Sequence, residues 1–305
     1  MSPARETGYR LLGRRFDYLL HTRPAEWPIV AAHTMVGYLL AVGVSGAMRG
    51  ERLGQALFGV LLWVPCLNGG TLALNSAFDR DEGDVAYLHQ PPPPPAHLAG
   101  FGLALMSAGL AGSFLLPVAY RLVYAACLML SVLYSVPPFR LKAVPGADWV
   151  INMVGFGTLT PYAGWAATGL PVDTAGLLVL IGFCPLFAAL YPLTQIYQYE
   201  EDARRGDRTL ARALGLRRSL VVAAGSAGLA FALFGGAAVA AEWGSADGWR
   251  WLALGLAAVA WALVLLPWVK RYAVMSTREH QRGMYRALLA WAITDLVVVV
   301  IWGSG

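Results

Sequence analysis

Two short segments of this sequence concentrate side chains with oxygen atoms that can bind metal ions. The first, residues 75–84, contains Asn75, Asp79, Asp81, Glu82 and Asp84. The second, residues 195–209, contains Gln198, Glu200, Glu201, Asp202 and Asp207. Carboxylates packed this densely repel one another, and a hard divalent cation with oxygen ligands relieves that repulsion. Magnesium binds one or two carboxylates together with water and substrate phosphate oxygens. We therefore expect the two segments to hold a diphosphate through Mg2+.

Helical geometry makes the side chains of each segment converge. Asn75 and Asp79 are four residues apart, as are Gln198 and Asp202, so each pair lies on one face of a helix. The alternative is that both segments are solvated acidic loops without a ligand.

Basic residues lie where they could neutralise a departing diphosphate. The segment YSVPPFRLK places Tyr134 just before a double proline, with Arg140 and Lys142 after it. Other basic residues adjoin the acids: Arg80, Arg204, Arg205 and Arg208. Because the double proline is rigid, Arg140 and Lys142 are the better candidates, whereas Arg204 and Arg205 are typical of membrane anchors.

The elements that carry these residues are predicted to cross a membrane. Of the 305 residues, 57% are hydrophobic and only 13% are charged, against about 25% charged in soluble domains. Apolar runs near the roughly 20 residues needed for a span predict nine transmembrane helices, at 28–48, 55–77, 97–117, 121–137, 148–169, 172–195, 219–241, 250–269 and 285–303. The predicted fold is an all-α polytopic membrane protein formed by a single domain, residues 1–305.

The distribution of Lys and Arg predicts the orientation. With the N-terminus in the cytosol, 19 of these residues fall on the cytosolic side and 4 on the other, as the positive-inside rule requires. Residues 1–27 then form an amphipathic cytosolic leader, and both acidic segments face the cytosol. We expect a multi-pass protein of the cell (inner) membrane. The net charge of +5 does not indicate a nucleic-acid partner.

Taken together, these features resemble the UbiA superfamily of intramembrane prenyltransferases. In that family the first motif runs Asn, then Asp four residues on, then Asp four further on. Asn75 and Asp79 fit, but Gly83 stands at the next position and Asp84 follows one residue later. Asp81 is an alternative ligand. The tyrosine, serine, proline and lysine of the family's next pattern match Tyr134 to Lys142, where the lysine is expected to contact diphosphate.

The second motif departs from the family pattern. Counting back from Gly206, the two expected Asp positions hold Gln198 and Asp202, and Glu201 is placed to compensate for Gln198. The family's Gly-x-x-Thr-Leu ending is present as Gly206, Thr209 and Leu210. We interpret these departures as the mark of a divergent branch.

The resemblance implies a nine-helix bundle around a central cavity that opens to the cytosol and the bilayer. It implies Mg2+ as cofactor, and a prenyl diphosphate and a lipophilic, aromatic acceptor as substrates. The catalytic residues would be Asp79, Asp84, Asp202 and Lys142. The metal ligands would be Asn75, Asp79, Asp81, Asp84, Gln198, Glu201 and Asp202. Substrate contacts would come from Arg140, Lys142, Tyr134, Arg80, Arg208 and Tyr199.

Two other functions remain open at this stage. A terpene cyclase of the same family needs the same motifs but no separate acceptor. A transporter or non-catalytic scaffold is the alternative from another class, although transporters place ionisable residues near the bilayer midplane.

Overall fold

The computed structural model describes residues 3–48, 50–79, 88, 90–144, 146–199 and 209–304. These residues form helices and no β-strand, which confirms the predicted all-α class. Two short helices, α1 (Pro3–Leu12) and α2 (Phe16–His21), precede the first long helix. The predicted leader is therefore helical in the part that is described.

The remaining helices follow in chain order. They are α3 (Trp27–Val42), α4 (Gly50–Leu61), α5 (Gly69–Asp79), α6 (Leu98–Gly112), α7 (Val118–Ser135), α8 (Ala147–Asn152), α9 (Thr160–Ala166), α10 (Thr174–Ile196), α11 (Leu210–Leu214), α12 (Leu216–Ala240), α13 (Gly248–Arg271) and α14 (Thr277–Gly303). A π-helical stretch, Leu62–Asn68, joins α4 to α5, and another, Met153–Leu159, joins α8 to α9.

Within the described ranges, eight helical stretches are long and apolar enough to cross a membrane. They correspond to eight of the nine predicted spans. The remaining predicted span, the fifth in chain order at 148–169, is helical from Ala147 to Ala166. It is not one of the eight because its polar and small residues lower its mean hydropathy. The exposed surface carries many large apolar side chains, such as Leu263 and Leu122, which are 71% and 65% exposed, as expected for a surface that faces lipid.

The buried side chains form two main clusters, one on each side of the bundle. One is built on α10 and α12–α14, and includes Phe183, Phe234 and Trp261. The other is built on α3–α7 and α9, and includes Trp63 and Tyr124. Helix α5, which carries the first acidic segment, belongs to the second cluster.

Glycines let two pairs of helices approach at backbone distance. A methyl group at Gly102 on α6 would lie 2.7 Å from the carbonyl oxygen of Gly70 on α5. A methyl group at Gly164 on α9 would overlap the carbonyl oxygen of Thr34 on α3. Close contact of this kind replaces the hydrophobic driving force that helices lack in lipid. It fixes α5 and α9 against their neighbours.

The two helix boundaries that differ most from those predicted are the end of α3 and the start of α14. Helix α3 ends at Val42 rather than at 48, because Gly43 takes a positive φ of 72° that ends the helix. Helix α14 begins at Thr277 rather than at 285. Its start is fixed by a capping box, in which Ser276 and Glu279 satisfy each other's backbone N–H groups.

Candidate functional site

Helices α5 and α7 are joined by polar side chains that repeat every helical turn. Thr71 Oγ1 donates a hydrogen bond to Ser131 Oγ at 2.8 Å. One turn further along, the Ser135 hydroxyl donates to Asn75 Oδ1. Because both pairs have a spacing of four residues, they hold the two helices in one register. The ends of α5 and α7 therefore reach the same membrane face together, and this is what positions the site.

Asp79, the last residue of α5, binds two cations from the segment that follows α7. Arg140 Nη2 lies 3.2 Å from Asp79 Oδ1, and Lys142 Nζ contacts the same oxygen. The C-terminus of a helix carries about half a negative charge, so an Asp there is electrostatically unfavourable without cations. The side chain of Lys142 is 11% exposed, against 45% for that of Arg140. Lys142 is therefore the more enclosed of the two cations.

The segment after α7 has the backbone shape that brings these cations to Asp79. Val136 is extended, and the Pro137–Pro138 peptide bond is cis. Arg140 takes a left-handed conformation, with φ 36° and ψ 53°, which costs about 1–2 kcal/mol for an L-residue. A short 3-10 turn, Leu141–Ala143, then turns Lys142 back towards α5. The strained Arg140 is held by its contact with Asp79.

A cavity of about 280 Å³ lies one helical turn from this junction, where Asn75 of α5 lines it. Asn75 lines it near the membrane face, and Trp63 lines it twelve residues earlier, about 18 Å deeper along the helix. Its wall is completed by Arg23, Leu67, Asn68, Thr71, Leu72, Cys127, Leu130, Ser131, Tyr134, Ile151, Asn152, Gly155, Phe156 and Thr160. The amide nitrogen of Asn68 is buried there without a hydrogen-bond partner. An elongated ligand with an apolar chain and some polar groups would fit this lining.

Phe156, on the cavity wall, is held in place from behind. Its ring stacks on His33 with centroids 5.3 Å apart. The two ring nitrogens of His33 lie 3.2 Å from Asp295 Oδ2 and 3.3 Å from the carbonyl oxygen of Gly157. Trp291 Nε1 donates to the same Asp295 oxygen at 3.1 Å. This buried network ties α3 to α14 and keeps the aromatic wall of the cavity rigid.

A second polar network surrounds Tyr134, which was predicted to contact substrate. Tyr134 is within hydrogen-bonding reach of Asn152 and Tyr191. Tyr191 donates to Asp148 Oδ2 at 3.1 Å, and the backbone N–H of Gly146 donates to Asp148 Oδ1 at 2.9 Å. Asp148 is only 4% exposed. The sequence reasoning missed Asp148, although an acid at the start of a predicted span is a recognisable signal.

The described part of the second acidic segment lies just beyond the end of α10. The backbone N–H of Gln198 donates to the carbonyl oxygen of Gln195 at 3.2 Å. Tyr199 packs against the buried cluster of α10 and α12–α14, and its predicted contact with substrate stays a prediction. Within the described residues, neither side chain forms a hydrogen bond or salt bridge with Asn75 or Asp79.

Several predicted site residues lie outside the described residues. They are Arg80, Asp81 and Asp84 of the first segment, and Glu201, Asp202 and Arg208 of the second. Glu82, Glu200, Arg204, Arg205 and Asp207 also lie outside them. Their roles stay predictions.

In the part of the chain that is described, no group of three or more His, Cys, Asp or Glu side chains could hold a metal ion. The described donors are nevertheless of the right kind for magnesium. Asn75 and Asp79 present an amide oxygen and a carboxylate on one helix face, beside two cations that match phosphate. Mg2+ commonly binds through one or two carboxylates plus substrate phosphates. The donor set therefore fits a magnesium diphosphate.

Comparisons with known proteins show which family the chain belongs to. The family model described as "UbiA prenyltransferase family" matches residues 30–291. A lycopene elongase/hydratase from Haloferax volcanii is 31% identical over 217 residues, which are 68% of this chain and 68% of that protein. A chloroplastic chlorophyll synthase from Oryza sativa subsp. japonica is 29% identical over 168 residues, 46% of this chain and 43% of that protein.

Solved structures share the fold at low sequence identity. A UbiA homolog from Archaeoglobus fulgidus bound to DMAPP and Mg2+ superposes with a TM-score of 0.66 at 19% identity, over 93% of this chain and 99% of that one. A digeranylgeranylglyceryl phosphate synthase gives 0.70 at 14% identity, over 94% and 97%. At these identities the likeness establishes the fold.

Proposed function

Because the chain belongs to the UbiA prenyltransferase family, we propose that it transfers the prenyl group of a prenyl diphosphate to a lipophilic acceptor in a Mg2+-dependent reaction. The observation that carries the proposal is the meeting of Asp79 with Arg140 and Lys142, one helical turn beyond Asn75 of the cavity wall. A diphosphate held by these residues would leave its prenyl chain in the cavity.

The oxygen-bearing side chains of both acidic segments would hold the metal. From the first segment these are Asn75, Asp79, Asp81 and Asp84, and from the second Gln198, Glu201 and Asp202. When bound, Mg2+ would neutralise charge on the diphosphate oxygens and so favour departure of the leaving group. The A. fulgidus homolog bound to DMAPP and Mg2+ supports this cofactor.

Lys142 and Arg140 would stabilise the leaving group directly. Both already converge on one carboxylate oxygen, and phosphate oxygens are equivalent acceptors for them. As the allylic C–O bond breaks, its electron pair passes to the diphosphate, and both cations donate to the oxygen that gains charge. Fixed donors of this kind need little rearrangement during the reaction.

The cavity would protect the allylic cation from water. Trp63, Leu67, Ile151 and Phe156 give it an apolar wall, and aromatic faces attract cations. A carbon of the acceptor then bonds to the cation, and the acceptor loses a proton. The released diphosphate, which is basic and adjacent, would accept that proton.

The polar groups of the cavity favour an aromatic acceptor with a polar substituent. Arg23 and Asn152 line the cavity, and the amide nitrogen of Asn68 has no hydrogen-bond partner there. A probable homogentisate phytyltransferase from Oryza sativa subsp. japonica, 34% identical over 110 residues, supports this class. The lycopene elongase/hydratase relative favours a second candidate, a long polyene acceptor.

The membrane orientation is part of the same proposal. The excess of Lys and Arg on one side supports a cytosolic N-terminus and a cytosolic diphosphate site in the cell membrane. A water-soluble leaving group would then be released into the cytosol.

The experiment supplies purified protein with geranyl, farnesyl or geranylgeranyl diphosphate, Mg2+, and either a phenolic acceptor or lycopene. Products are identified by mass spectrometry and diphosphate release is measured in parallel. A prenylated phenol supports the main proposal, and a prenylated polyene supports the second candidate. A cyclic hydrocarbon formed without acceptor would replace both with a cyclase. No product with any acceptor, and no diphosphate release, would overturn the enzyme assignment.

A matched pair of variants separates the site from general effects on the protein. Lys142→Gln removes the enclosed cation, whereas Lys270→Gln removes a lysine at the end of α13, outside the cavity lining. The first should lose activity and the second should keep it.

A further inference from the structure

A second cavity of about 260 Å³ lies between the ends of α13 and α14. Helix α10 ends at the membrane face of the acidic segments, α12 crosses away from that face, and α13 returns to it. The second cavity therefore opens at the same membrane face as the proposed active site. None of its lining residues lines the first cavity.

One part of this cavity is apolar and lies at membrane depth. Leu263, Val264 and Pro267 of α13 form its floor. The ring of Trp268 packs against Gly283 of α14, where a methyl group would lie 2.7 Å from the ring. The indole N–H of Trp268 is already used, because it donates to His280 Nδ1 at 2.8 Å. This part offers contact to a hydrocarbon chain and no free donor from Trp268.

The other part is strongly basic. Arg271 ends α13, and Arg282 and Arg286 are four residues apart on one face of α14. None of the three forms a salt bridge in the described part of the chain. All three residues are exposed, so water screens part of their mutual repulsion. An anion bound among the three guanidinium groups would neutralise the remainder.

The acidic side chain that lines this cavity already has hydrogen-bond partners. Glu279 is the one carboxylate among the described lining residues. It accepts hydrogen bonds from the backbone N–H of Ser276 at 2.7 Å and from its hydroxyl at 2.9 Å. It lies close enough to Arg271 and Arg282 to interact with their charges, but one carboxylate leaves the cavity with two excess positive charges.

The basic part and the apolar part of this cavity are separated as the headgroup and the acyl chain of a phospholipid are. From Arg271 to Leu263 is eight residues of helix, about 12 Å. The arginines lie at the end of the helix pair that faces the membrane surface, and Leu263, two helical turns deeper, is 71% exposed. Basic pockets between transmembrane helices recognise acidic lipid headgroups in this way.

We propose that this cavity is a binding site for an anionic glycerophospholipid, whose phosphate is bound by Arg271, Arg282 and Arg286. Its acyl chain lies along Leu263, Val264 and Pro267. The site is independent of the proposed catalytic reaction, since the two cavities share no residue. Its occupant joins α13 to α14, and so links lipid composition to the stability of this half of the bundle.

The test measures binding of phosphatidylglycerol and phosphatidylcholine to the purified full-length protein by native mass spectrometry. The wild type should prefer phosphatidylglycerol. Each arginine near an anionic surface contributes about fivefold in affinity, so Arg282→Gln with Arg286→Gln should lower phosphatidylglycerol affinity by ~25-fold. The single variants should each lower it by about fivefold, and they serve if the double variant does not fold.

The control removes two cations from the same helix ends, outside the cavity. Lys270→Gln with Arg278→Gln changes the net charge equally, and neither residue lines the cavity. This control should keep the phosphatidylglycerol preference. An equal loss in the control, or no preference in the wild type, would overturn the proposal. Displacement of the lipid by millimolar inorganic phosphate would assign the site to a free phosphate instead, and would also overturn it.

Discussion

Replacing Lys142 tests the proposed role of the enclosed cation in leaving-group departure. Its ammonium group contacts Asp79, and its side chain is 11% exposed. Lys142→Gln keeps most of the volume but removes the charge. Arg140→Gln removes a cation from the same carboxylate oxygen, but from a side chain that is 45% exposed. The two variants therefore differ mainly in how well solvent screens the lost charge.

The expected magnitudes follow from that difference. Removing one fixed donor from a developing oxyanion in an enclosed site costs about 10²–10³ in turnover, and we expect Lys142→Gln to fall in this range. The exposed Arg140 acts in a more strongly screened environment, where charge interactions are several times weaker. We therefore expect Arg140→Gln to cost about tenfold, with Lys142→Arg retaining more activity than Lys142→Gln because it keeps the charge.

Single-turnover release of diphosphate at saturating substrate measures this directly, because it separates leaving-group departure from product release. Lys270→Gln serves as the matched control and should behave as the wild type does. The reasoning is wrong if Lys142→Gln keeps half of the wild-type rate. It is equally wrong if Arg140→Gln is the more damaging of the two changes.

Three further predictions concern the metal, the packing and the leader. Asp79→Asn should lower Mg2+-dependent turnover by at least ~100-fold, since a metal supplies several kcal/mol of charge stabilisation. Gln198→Asp should be tolerated and should lower the Mg2+ concentration that gives half-maximal turnover. If this variant needs more Mg2+ than the wild type, residue 198 is not at a ligand position. Gly164→Ala should destabilise the protein by about 1–3 kcal/mol or more, because the added methyl group would overlap the carbonyl oxygen of Thr34. Thermal denaturation in detergent measures this effect, with Gly225→Ala as the control because a methyl group there meets no atom within 4 Å. Burial lowers the pKa of His21 below its usual value. The unfolded chain therefore takes up a proton at a higher pH than the folded chain does, and stability should fall as the pH drops below about 6.5. His21→Leu should remove that part of the pH dependence of the melting temperature, and an unchanged pH dependence would contradict this reasoning.

The sequence predicts the helices well because hydropathy is a local property. Each of the nine predicted spans is helical over most of its length. Boundaries are predicted less well, but one missed signal was readable. The Ser276–Glu279 capping box marks the start of α14 eight residues before the predicted span. The early end of α3 at Gly43 was also readable, since glycine commonly follows the last turn of a helix.

The sequence predicts those parts of the candidate site that lie in short motifs. Asn75, Asp79, Arg140 and Lys142 were singled out from residue type and spacing, and the fold brings them together. The networks behind them join residues far apart in the chain. Tyr191 reaches Asp148, and His33 reaches Asp295 across 262 residues. No local pattern contains such pairings, because they depend on how whole helices pack.

The surroundings of Tyr199 illustrate the same limit. Its side chain packs against the buried cluster of α10 and α12–α14, and this contact depends on the turn after α10. Its predicted contact with substrate stays a prediction. Spacing along one helix predicts which residues share a face, but not which neighbour that face meets.

The most direct test of the central claim is diphosphate release from geranyl, farnesyl and geranylgeranyl diphosphate by the purified protein, measured with Mg2+ and with chelator, in the presence of the acceptor panel. The account predicts release that requires Mg2+, that is matched one for one by a prenylated product, and that falls at least ~100-fold in Lys142→Gln. Release that is unchanged by the chelator, or unchanged in Lys142→Gln, would contradict it.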